Sequence, residues 1–407
     1  MRRTALEKWI CETEALPCLT REGLEALQLK RLNALLQRER QRGGYYKDLP
    51  AELDSLKELE SLPFTLPEAL AENAAGLLLV SQAGVERVIS GATSGTTGPE
   101  KRIFYTARDL ENTVDFFSAG ISEMASRGEG VMIALPFSGP DGLGELIARA
   151  VETLGARPVK AGFGKSYGEL EQIIKEERPA AYIGMPAPLL SLIRYCGGPM
   201  SLERALTSAD ACPEGLRREL ESSLKEPLFP HYGSRETALG GAVTCAAHEG
   251  MHLRENHIIA EIVDKRGEAL PPGAEGELVI TTIGLEAMPL IRYKTGDRAR
   301  ILQGYCPCGG ITKRIEVFGR EFSEEPDIKE LDGALFRLPF LTDCAYMLKG
   351  GRLKVRALTI DGEGEGEMLA IIKNLYPEFE AEAELMKCTG ESTPLYMGKR
   401  YIERNLI

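Results

Sequence analysis

The apolar positions of the chain follow two periods, one typical of helices and one typical of strands. Residues 20–42 show the helical period, begin at a capping residue, Thr20, and stop before the glycine pair at 43–44. Between residues 130 and 232, short apolar runs alternate with amphipathic stretches. This pattern predicts two strands, at 131–137 and 181–186, and three helices, at 142–155, 188–195 and 214–225. Alternating strands and helices indicate a largely parallel sheet.

The pattern changes to closely spaced strands after residue 250. Residues 258–264 and 276–282 are rich in strand-forming residues and are separated by turn residues, which predicts a smaller antiparallel barrel or sheet. A charged, weakly periodic stretch follows residue 320. Beyond it, strands are predicted at 345–348 and 352–360 and a helix at 366–376. We therefore predict an α/β protein. Its large N-terminal domain, residues 1–319, would hold mixed and parallel sheets with helices and a small β-barrel-like part, and a small α+β C-terminal domain would span 320–407.

Composition narrows the classes of partner. The chain has 407 residues, a length that exceeds one hydrophobic core. Of these residues 43% are hydrophobic and 27% are charged, as in an ordinary globular protein. Its net charge of −12 argues against a nucleic-acid or anionic-membrane partner, because such binding depends on Lys and Arg. No apolar run approaches the roughly 20 residues of a membrane span, and the first residues lack the apolar stretch of a signal peptide. We expect a cytoplasmic protein whose nine cysteines stay reduced.

Residues 91–101, GATSGTTGPEK, combine glycines with hydroxyl side chains after a predicted strand. Glycines allow successive backbone N–H groups to converge on an anion, to which Ser94, Thr96 and Thr97 would add donors and Lys101 a positive charge. The same composition would also serve a plain hairpin turn. The stretch is not a Walker A loop, since it has no G-x-x-x-x-G-K-[ST] match. The residue types alone do not decide whether this stretch is a hairpin turn or a phosphate-binding loop.

The order of residues in this loop resembles the phosphate loop of the adenylate-forming superfamily. Three later segments resemble further motifs of that superfamily in the same order: HYGSRE at 231–236, RYKTGD at 292–297 and the hinge segment FGR at 318–320. Within the superfamily the chain is most similar to phenylacetate–CoA ligases, over roughly residues 20–320. The resemblance implies an ATP-dependent carboxylic acid–CoA ligase, which forms an acyl adenylate and pyrophosphate and then acyl-CoA and AMP.

The resemblance also implies roles for single residues. The phosphate loop and Lys101 would hold the β- and γ-phosphates, Asp297 would accept hydrogen bonds from the ribose hydroxyls, and Tyr232 would stack on adenine. Glu236 would hold Mg²⁺, which prefers oxygen ligands, and Lys399 would enter the site for adenylation. The full set of implied ATP-binding residues is Thr93, Ser94, Gly95, Thr96, Thr97, Gly98, Lys101, Ala209, Asp210, Tyr232, Gly233, Asp297 and Arg320. Singly, each has an ordinary structural explanation; together, at the family spacing, they favour a nucleotide site.

A second cluster of residues suits a metal. Cys306 and Cys308 form a Cys-x-Cys pair, and Cys245 and His252 lie upstream of it. Three thiolates and one imidazole suit a closed tetrahedral Zn²⁺ site. Similar phenylacetate–CoA ligases carry these residue types at these places, so the resemblance implies a structural zinc, with His248 as the rival to His252. The alternative is three buried free cysteines and a core histidine.

The sequence departs from the family pattern near two of its motifs. Arg235 stands where Thr or Ser is usual, so it could pair with Glu236 or bind an anion itself. The usual carboxylate after the hinge is missing, with residues 323–325 near its place, and the family's Gly-x-Asn-x-x-Pro run is absent. Two alternatives therefore stay open: transfer of the acyl group to an amine or carrier thiol, and a non-catalytic, zinc-stabilised nucleotide-binding regulator. An aryl acid is not fixed by a chain with 6% aromatic residues. A homodimer is expected only because similar enzymes are often dimers.

Overall fold

The computed structural model describes residues 4–91, 101–139, 141–198, 200–320 and 325–404. These ranges contain ten α-helices: α1 (Ala5–Thr13), α2 (Arg21–Arg42), α3 (Pro67–Glu72), α4 (Ala107–Ile121), α5 (Leu143–Leu154), α6 (Tyr167–Glu177), α7 (Pro186–Cys196), α8 (Glu214–Ser223), α9 (Ile328–Leu335) and α10 (Glu365–Leu375). The chain forms two compact units, unit 1 with residues 1–123 and 230–322 and unit 2 with residues 124–229 and 323–407.

The same ranges contain seventeen strands. Strands β1 to β9 are Arg87–Gly91, Lys101–Tyr105, Gly130–Ala134, Arg157–Lys160, Ala181–Gly184, Arg204–Thr207, Phe229–Tyr232, Ala242–Thr244 and Met251–Leu253. Strands β10 to β17 are Ile258–Val263, Gly276–Thr282, Tyr293–Ile301, Arg314–Arg320, Leu341–Lys349, Arg352–Thr359, Glu380–Lys387 and Ile402–Arg404.

Helix α2 shows how local sequence sets an element. The Thr20 side chain accepts a hydrogen bond from the Gly23 N–H at its start, and Gly43 closes it in the left-handed conformation, with φ of 61°. Both ends match the helix predicted at 20–42. Of the leucine stripe predicted for this helix, Leu32 and Leu36 are fully buried and Leu29 is half-buried, and Leu24 is fully buried as well. These leucines mark the face of the helix that packs into unit 1.

Unit 1 is built around an antiparallel sheet. Its strands lie in the order β10-β11-β12-β13-β9-β8-β7, and each neighbouring pair is antiparallel. The predicted strands at 258–264 and 276–282 are β10 and β11, so that part of the prediction is confirmed. Strands β1 and β2 form a separate antiparallel pair on either side of the glycine-rich loop. Strands β12 and β13 lie next to each other inside this sheet, and both carry residues of the motifs found in the sequence.

Unit 2 contains a parallel sheet and a second, mixed sheet. The parallel sheet has the order β6-β5-β3-β4, as the alternation of strands and helices predicts. The second sheet has the order β16-β15-β14-β17. Both share one hydrophobic core, in which Leu189 of α7 and Leu216 of α8 are buried with Leu335 of α9 and Val355 of β15. The C-terminal segment is therefore packed into the same core as residues 124–229.

The predicted boundary at residues 319/320 falls beside the change of unit at 322/323. The division into domains 1–319 and 320–407 stays a prediction. Among the residues that the structure describes, no helix combines the length and the apolar character that crossing a membrane requires.

Candidate nucleotide site

The ribose-binding residues predicted from the sequence meet in unit 1. Asp297 of β12 and Arg320 of β13 are paired in register, and Asp297 Oδ1 lies 3.6 Å from Arg320 Nη1. The Tyr232 hydroxyl donates a hydrogen bond to Asp297 Oδ2 at 2.8 Å. Burial, reinforced by Asp297, raises the pKa of Tyr232 well above its usual value, so the phenol stays a neutral donor. The Asp297 carboxylate is thus held in one orientation.

Two glycines allow this close packing. Gly296, just before Asp297, has φ of 71°, a conformation that favours glycine, and a Cβ there would lie 3.1 Å from Arg320 Nη1. A Cβ on Gly233 would lie 2.0 Å from the carbonyl oxygen of Leu239, so only glycine fits there. The glycines in the two motifs therefore have steric reasons of their own.

A second group in unit 1 joins the predicted phosphate and magnesium residues. Lys101 begins β2, and its Nζ donates to the Tyr293 hydroxyl at 3.0 Å. Tyr293 in turn donates to Glu236 Oε1 at 3.1 Å, and Lys101 Nζ lies 4.0 Å from the same oxygen. Burial lowers the pKa of Lys101, which the Glu236 carboxylate opposes and the charge of Arg320 reinforces. Lys101 is thus a half-buried lysine that contacts the Tyr293 hydroxyl and lies close to the Glu236 carboxylate.

The segment that carries Glu236 is fixed from both sides. The Ser234 N–H donates to Thr237 Oγ1 at 2.9 Å across a single 3₁₀ turn, Arg235–Thr237. The Tyr105 hydroxyl donates to the carbonyl oxygen of Arg235 at 2.5 Å. Glu236 therefore points from a short, braced turn rather than from a long loop.

The predicted base and tail residues meet in unit 2. Asp210 Oδ2 accepts a hydrogen bond from the Arg400 N–H at 2.9 Å, and Oδ1 accepts one from the Ala211 N–H at 2.8 Å. Ala209 adopts φ of 68°, which turns this loop sharply. Lys399 is exposed and directly precedes Arg400. The tail lysine is thus beside the loop predicted to line adenine.

Arg400 fixes the tail at that point. Its guanidinium is buried and donates to Asp332 Oδ1 at 2.7 Å and to Asp343 Oδ1 at 3.1 Å. It also lies over the ring of Tyr396 with 4.8 Å to the centroid. Residues Thr93, Ser94, Gly95, Thr96, Thr97 and Gly98 of the phosphate loop lie outside the described residues.

The predicted zinc ligands also converge. The ligand atoms of Cys245, His252, Cys306 and Cys308 all lie within 4.8 Å of one another. Cys245 Sγ and Cys306 Sγ are 3.6 Å apart, and Cys308 Sγ is 3.4 Å from His252 Nε2. Tetrahedral zinc with ordinary bond lengths would place such pairs about 3.8 and about 3.6 Å apart. Of the two predicted histidines, His252 joins the cluster in the described structure and His248 does not.

The surroundings of the cluster suit a metal as well. His252 Nδ1 bonds Thr312 Oγ1 at 2.8 Å, which leaves Nε2 directed at the thiols. Burial lowers the pKa of His252 to about 4, so its imidazole is neutral, the form that binds a metal. Glu7 of α1 accepts hydrogen bonds from the N–H groups of Ile311 and Thr312, the latter at 3.0 Å. Helix α1 therefore holds the loop that follows the Cys-x-Cys pair.

Comparison with known proteins gives the family. A family model described as "AMP-binding enzyme" matches residues 92–287. A phenylacetate–coenzyme A ligase of Thermus thermophilus is 32% identical over 332 residues, which cover 76% of this chain and 72% of that protein. The chain belongs to the phenylacetate–coenzyme A ligase family. A ligase of the same name from Aromatoleum evansii is 31% identical over 312 residues, covering 72% of this chain and 69% of that protein.

A solved structure gives the fold. The crystal structure of 2-hydroxyisobutyryl-CoA ligase in its postadenylation state, in complex with R3-HIB-AMP, matches with a TM-score of 0.75 and 19% identity. It covers 95% of this chain and 90% of that chain. The chain is therefore a phenylacetate–CoA ligase-like enzyme with an α/β fold of this type, and the predicted family and fold class are confirmed.

Two residues of this family member escaped the sequence interpretation. Tyr293 stands inside the RYKTGD motif, and the motif itself was the available signal. Glu7 gave no signal, because a lone glutamate in an N-terminal helix resembles any surface carboxylate. Its contact with residues 311–312 lies more than three hundred positions away in sequence.

Proposed function

We propose that this protein activates a small carboxylic acid with Mg·ATP and transfers the acyl group to coenzyme A. The observation that carries the proposal is the pair of groups in unit 1, Lys101–Tyr293–Glu236 and Asp297–Tyr232–Arg320, built from residues at the nucleotide motifs. The relatives named phenylacetate–coenzyme A ligases support it. In the first half-reaction an oxygen of the acid attacks the α-phosphorus and pyrophosphate leaves. In the second the CoA thiol attacks the acyl carbon and AMP leaves.

Each half of the unit 1 site has chemistry suited to its share of the nucleotide. The fixed Asp297 carboxylate would accept hydrogen bonds from the two ribose hydroxyls, with Arg320 beside it as a donor. Lys101, together with Thr93–Gly98, would bind the β- and γ-phosphates. Glu236 offers one carboxylate on a fixed turn, which suits Mg²⁺, since this ion usually binds one or two protein carboxylates together with phosphate oxygens and water. The metal would neutralise phosphate charge.

The proposal also assigns roles to three residues of unit 2. Ala209 and Asp210 would line the base, and Lys399 would bring positive charge to the attacking carboxylate and the α-phosphate. The hydrogen bond from Arg400 N–H to Asp210 supports this assignment, since it ties the tail to the base loop. A cytoplasmic location and a homodimer are part of the same proposal.

We also propose that Cys245, His252, Cys306 and Cys308 bind one structural Zn²⁺. The convergence of four ligand atoms and the distances between them support it. All four ligands would come from the protein, which leaves no position for a substrate, so the zinc would stabilise unit 1 and take no part in the reaction.

The test of the function is product analysis with a panel of acids. Phenylacetate, benzoate and short-chain acids are each incubated with the protein, Mg·ATP and CoA, and acyl-CoA and AMP are measured by mass spectrometry. The proposal predicts equal amounts of both products for at least one acid. Acyl adenylate that accumulates without CoA consumption would support transfer to another acceptor instead. ATP binding without turnover of any acid would support the non-catalytic alternative.

A further inference from the structure

A buried tyrosine lies between the two charged residues assigned to the phosphate end of the site. Tyr293 is 1% exposed, and its hydroxyl contacts Glu236 Oε1 at 3.1 Å and Lys101 Nζ at 3.0 Å. A lysine ammonium can only donate hydrogen bonds, so the Tyr293 hydroxyl accepts one from Lys101 and donates its own to Glu236. The phenol is therefore a neutral bridge between the two charges.

The bridge keeps the two charges from forming a direct pair. Lys101 Nζ and Glu236 Oε1 are 4.0 Å apart, and both side chains are only 12% exposed. A direct charge-assisted hydrogen bond would bring them to about 2.7–2.9 Å. At that distance, with little water to screen them, each group would largely neutralise the other. A lysine and a carboxylate joined in this way would have to separate before either could bind a nucleotide.

The phenol is held firmly enough to act as a spacer. Tyr293 is paired with Ile280 of β11, and its neighbours Arg292 and Lys294 exchange backbone hydrogen bonds with Thr65 at 2.9 and 3.0 Å. Burial, and next to it the charge of Glu236, raise the pKa of Tyr293, so the hydroxyl stays protonated at neutral pH. Neither its position nor its charge is free to change with the state of Lys101.

We propose that Tyr293 is a positioning residue, whose hydroxyl keeps Lys101 and Glu236 apart so that the lysine is available to nucleotide phosphate and the carboxylate to Mg²⁺. The inference rests on the proposed function, because it takes Lys101 and Glu236 as the groups that meet Mg·ATP. It adds to that function a reason for the tyrosine in the RYKTGD motif.

The test is ATP binding to the full chain without any acid, measured by titration calorimetry at several Mg²⁺ concentrations. Tyr293→Phe removes the bridge and keeps the ring, so Lys101 and Glu236 can close into a direct pair. We expect Mg·ATP affinity to fall by about tenfold, the size of one hydrogen bond to a charged group, and the Mg²⁺ needed for half-maximal binding to rise.

Tyr46→Phe is the matched control. The Tyr46 hydroxyl is buried in unit 1, accepts from the Ile291 N–H at 3.1 Å and donates to Thr65 Oγ1 at 2.7 Å, so it bridges a donor and an acceptor as Tyr293 does. Its removal costs a comparable buried bridge without touching Lys101 or Glu236. Mg·ATP affinity should stay within about twofold of wild type in this variant.

A second background separates positioning from a general structural effect. The same metal-free ATP is used in both backgrounds. In Glu236→Gln the direct ion pair cannot form, so adding Tyr293→Phe should change the affinity for metal-free ATP by less than about twofold, whereas with Glu236 present it should lower that affinity by about tenfold. An equal loss in both backgrounds, or unchanged Mg·ATP affinity in Tyr293→Phe, would overturn the inference. Wild-type protein that fails to bind ATP would refute the proposed function and this inference together. If the wild type binds Mg·ATP but Tyr293→Phe has no effect, only the inference about Tyr293 is refuted.

Discussion

Replacing Arg400 with methionine should destabilise unit 2 strongly, because it leaves two buried carboxylates without their cation. The side chains of Arg400, Asp332 and Asp343 are 5%, 7% and 4% exposed, and Arg400 contacts the two carboxylates at 2.7 and 3.1 Å. Removing one partner of a buried ion pair costs about 3–5 kcal/mol, because the remaining charge stays desolvated. At about 2–4 °C per kcal/mol for a unit of this size, the melting temperature should fall by about 6–20 °C.

The loss should depend on pH in a defined direction. Burial raises the pKa of Asp343, and the Arg400 charge opposes that rise, so Arg400→Met should raise this pKa further in the folded protein. A carboxyl whose pKa is higher in the folded than in the unfolded chain binds more protons when folded. The variant should therefore regain stability relative to wild type as the pH falls towards 5.

The assay is urea unfolding at pH 8 and pH 5, followed by circular dichroism and by hydrogen exchange of peptides from β14. Arg352→Met is the matched control, since Arg352 is 53% exposed and pairs with Glu380 at 3.1 Å on the surface of the same sheet. Its loss should cost at most about 1 kcal/mol. A cost for Arg400→Met no larger than for this control, or a larger cost at pH 5 than at pH 8, would refute the reasoning.

Three further predictions concern the proposed site and metal. Lys399→Ala should slow acyl-adenylate formation by about a hundredfold or more and, because the residue is exposed, should leave the melting temperature unchanged. Lys387 is also exposed in unit 2, and Lys387→Ala should change neither the rate nor the melting temperature. Equal rates in the two variants would contradict the role of Lys399. Tyr232→Phe should raise the KM for ATP by about tenfold, since it frees the Asp297 carboxylate from its 2.8 Å hydrogen bond, and an unchanged KM would argue against ribose binding there. Purified protein should contain one zinc per chain, lost in Cys306→Ser but kept in Cys18→Ser. Removal of the zinc by a chelator should shift the fluorescence of Trp9, the only tryptophan in the chain, because Glu7 ties helix α1 to residues 311–312. Wild-type protein that contains no zinc and is fully stable would refute the metal assignment.

Sequence pattern was sufficient where an element is defined by its own residues. Helix α2 carries its cap, its apolar face and its closing glycine within one stretch, and the structure places its ends accordingly. Strand β16 shows the opposite case. Its sequence, EAEAELMK, has the charge of a solvated segment, yet it pairs in parallel with β15, where Glu384 contacts Lys354 at 2.8 Å across the strands. Only the partner strand makes those glutamates compatible with a sheet.

The candidate site was accessible through resemblance, but its internal arrangement was not. Motif order predicts that Lys101, Glu236, Asp297 and Arg320 belong to one nucleotide site. Three contacts join segments that are distant in sequence: Tyr232 with Asp297, Tyr293 with both Lys101 and Glu236, and Arg400 with Asp210. Such contacts leave no periodic or compositional trace, so the structure was needed to find them.

The most direct test of the proposed activity is acid-dependent exchange of labelled pyrophosphate into ATP, measured for the wild type and for Asp297→Ala in parallel. Exchange needs the acyl adenylate to form reversibly and does not need CoA, so it reports the first half-reaction alone. We expect exchange that requires both Mg²⁺ and a carboxylic acid in the wild type, and a loss of at least about a hundredfold in the folded variant. Wild-type protein that supports no exchange with any acid of the panel, or exchange that survives unchanged in Asp297→Ala, would contradict the assignment.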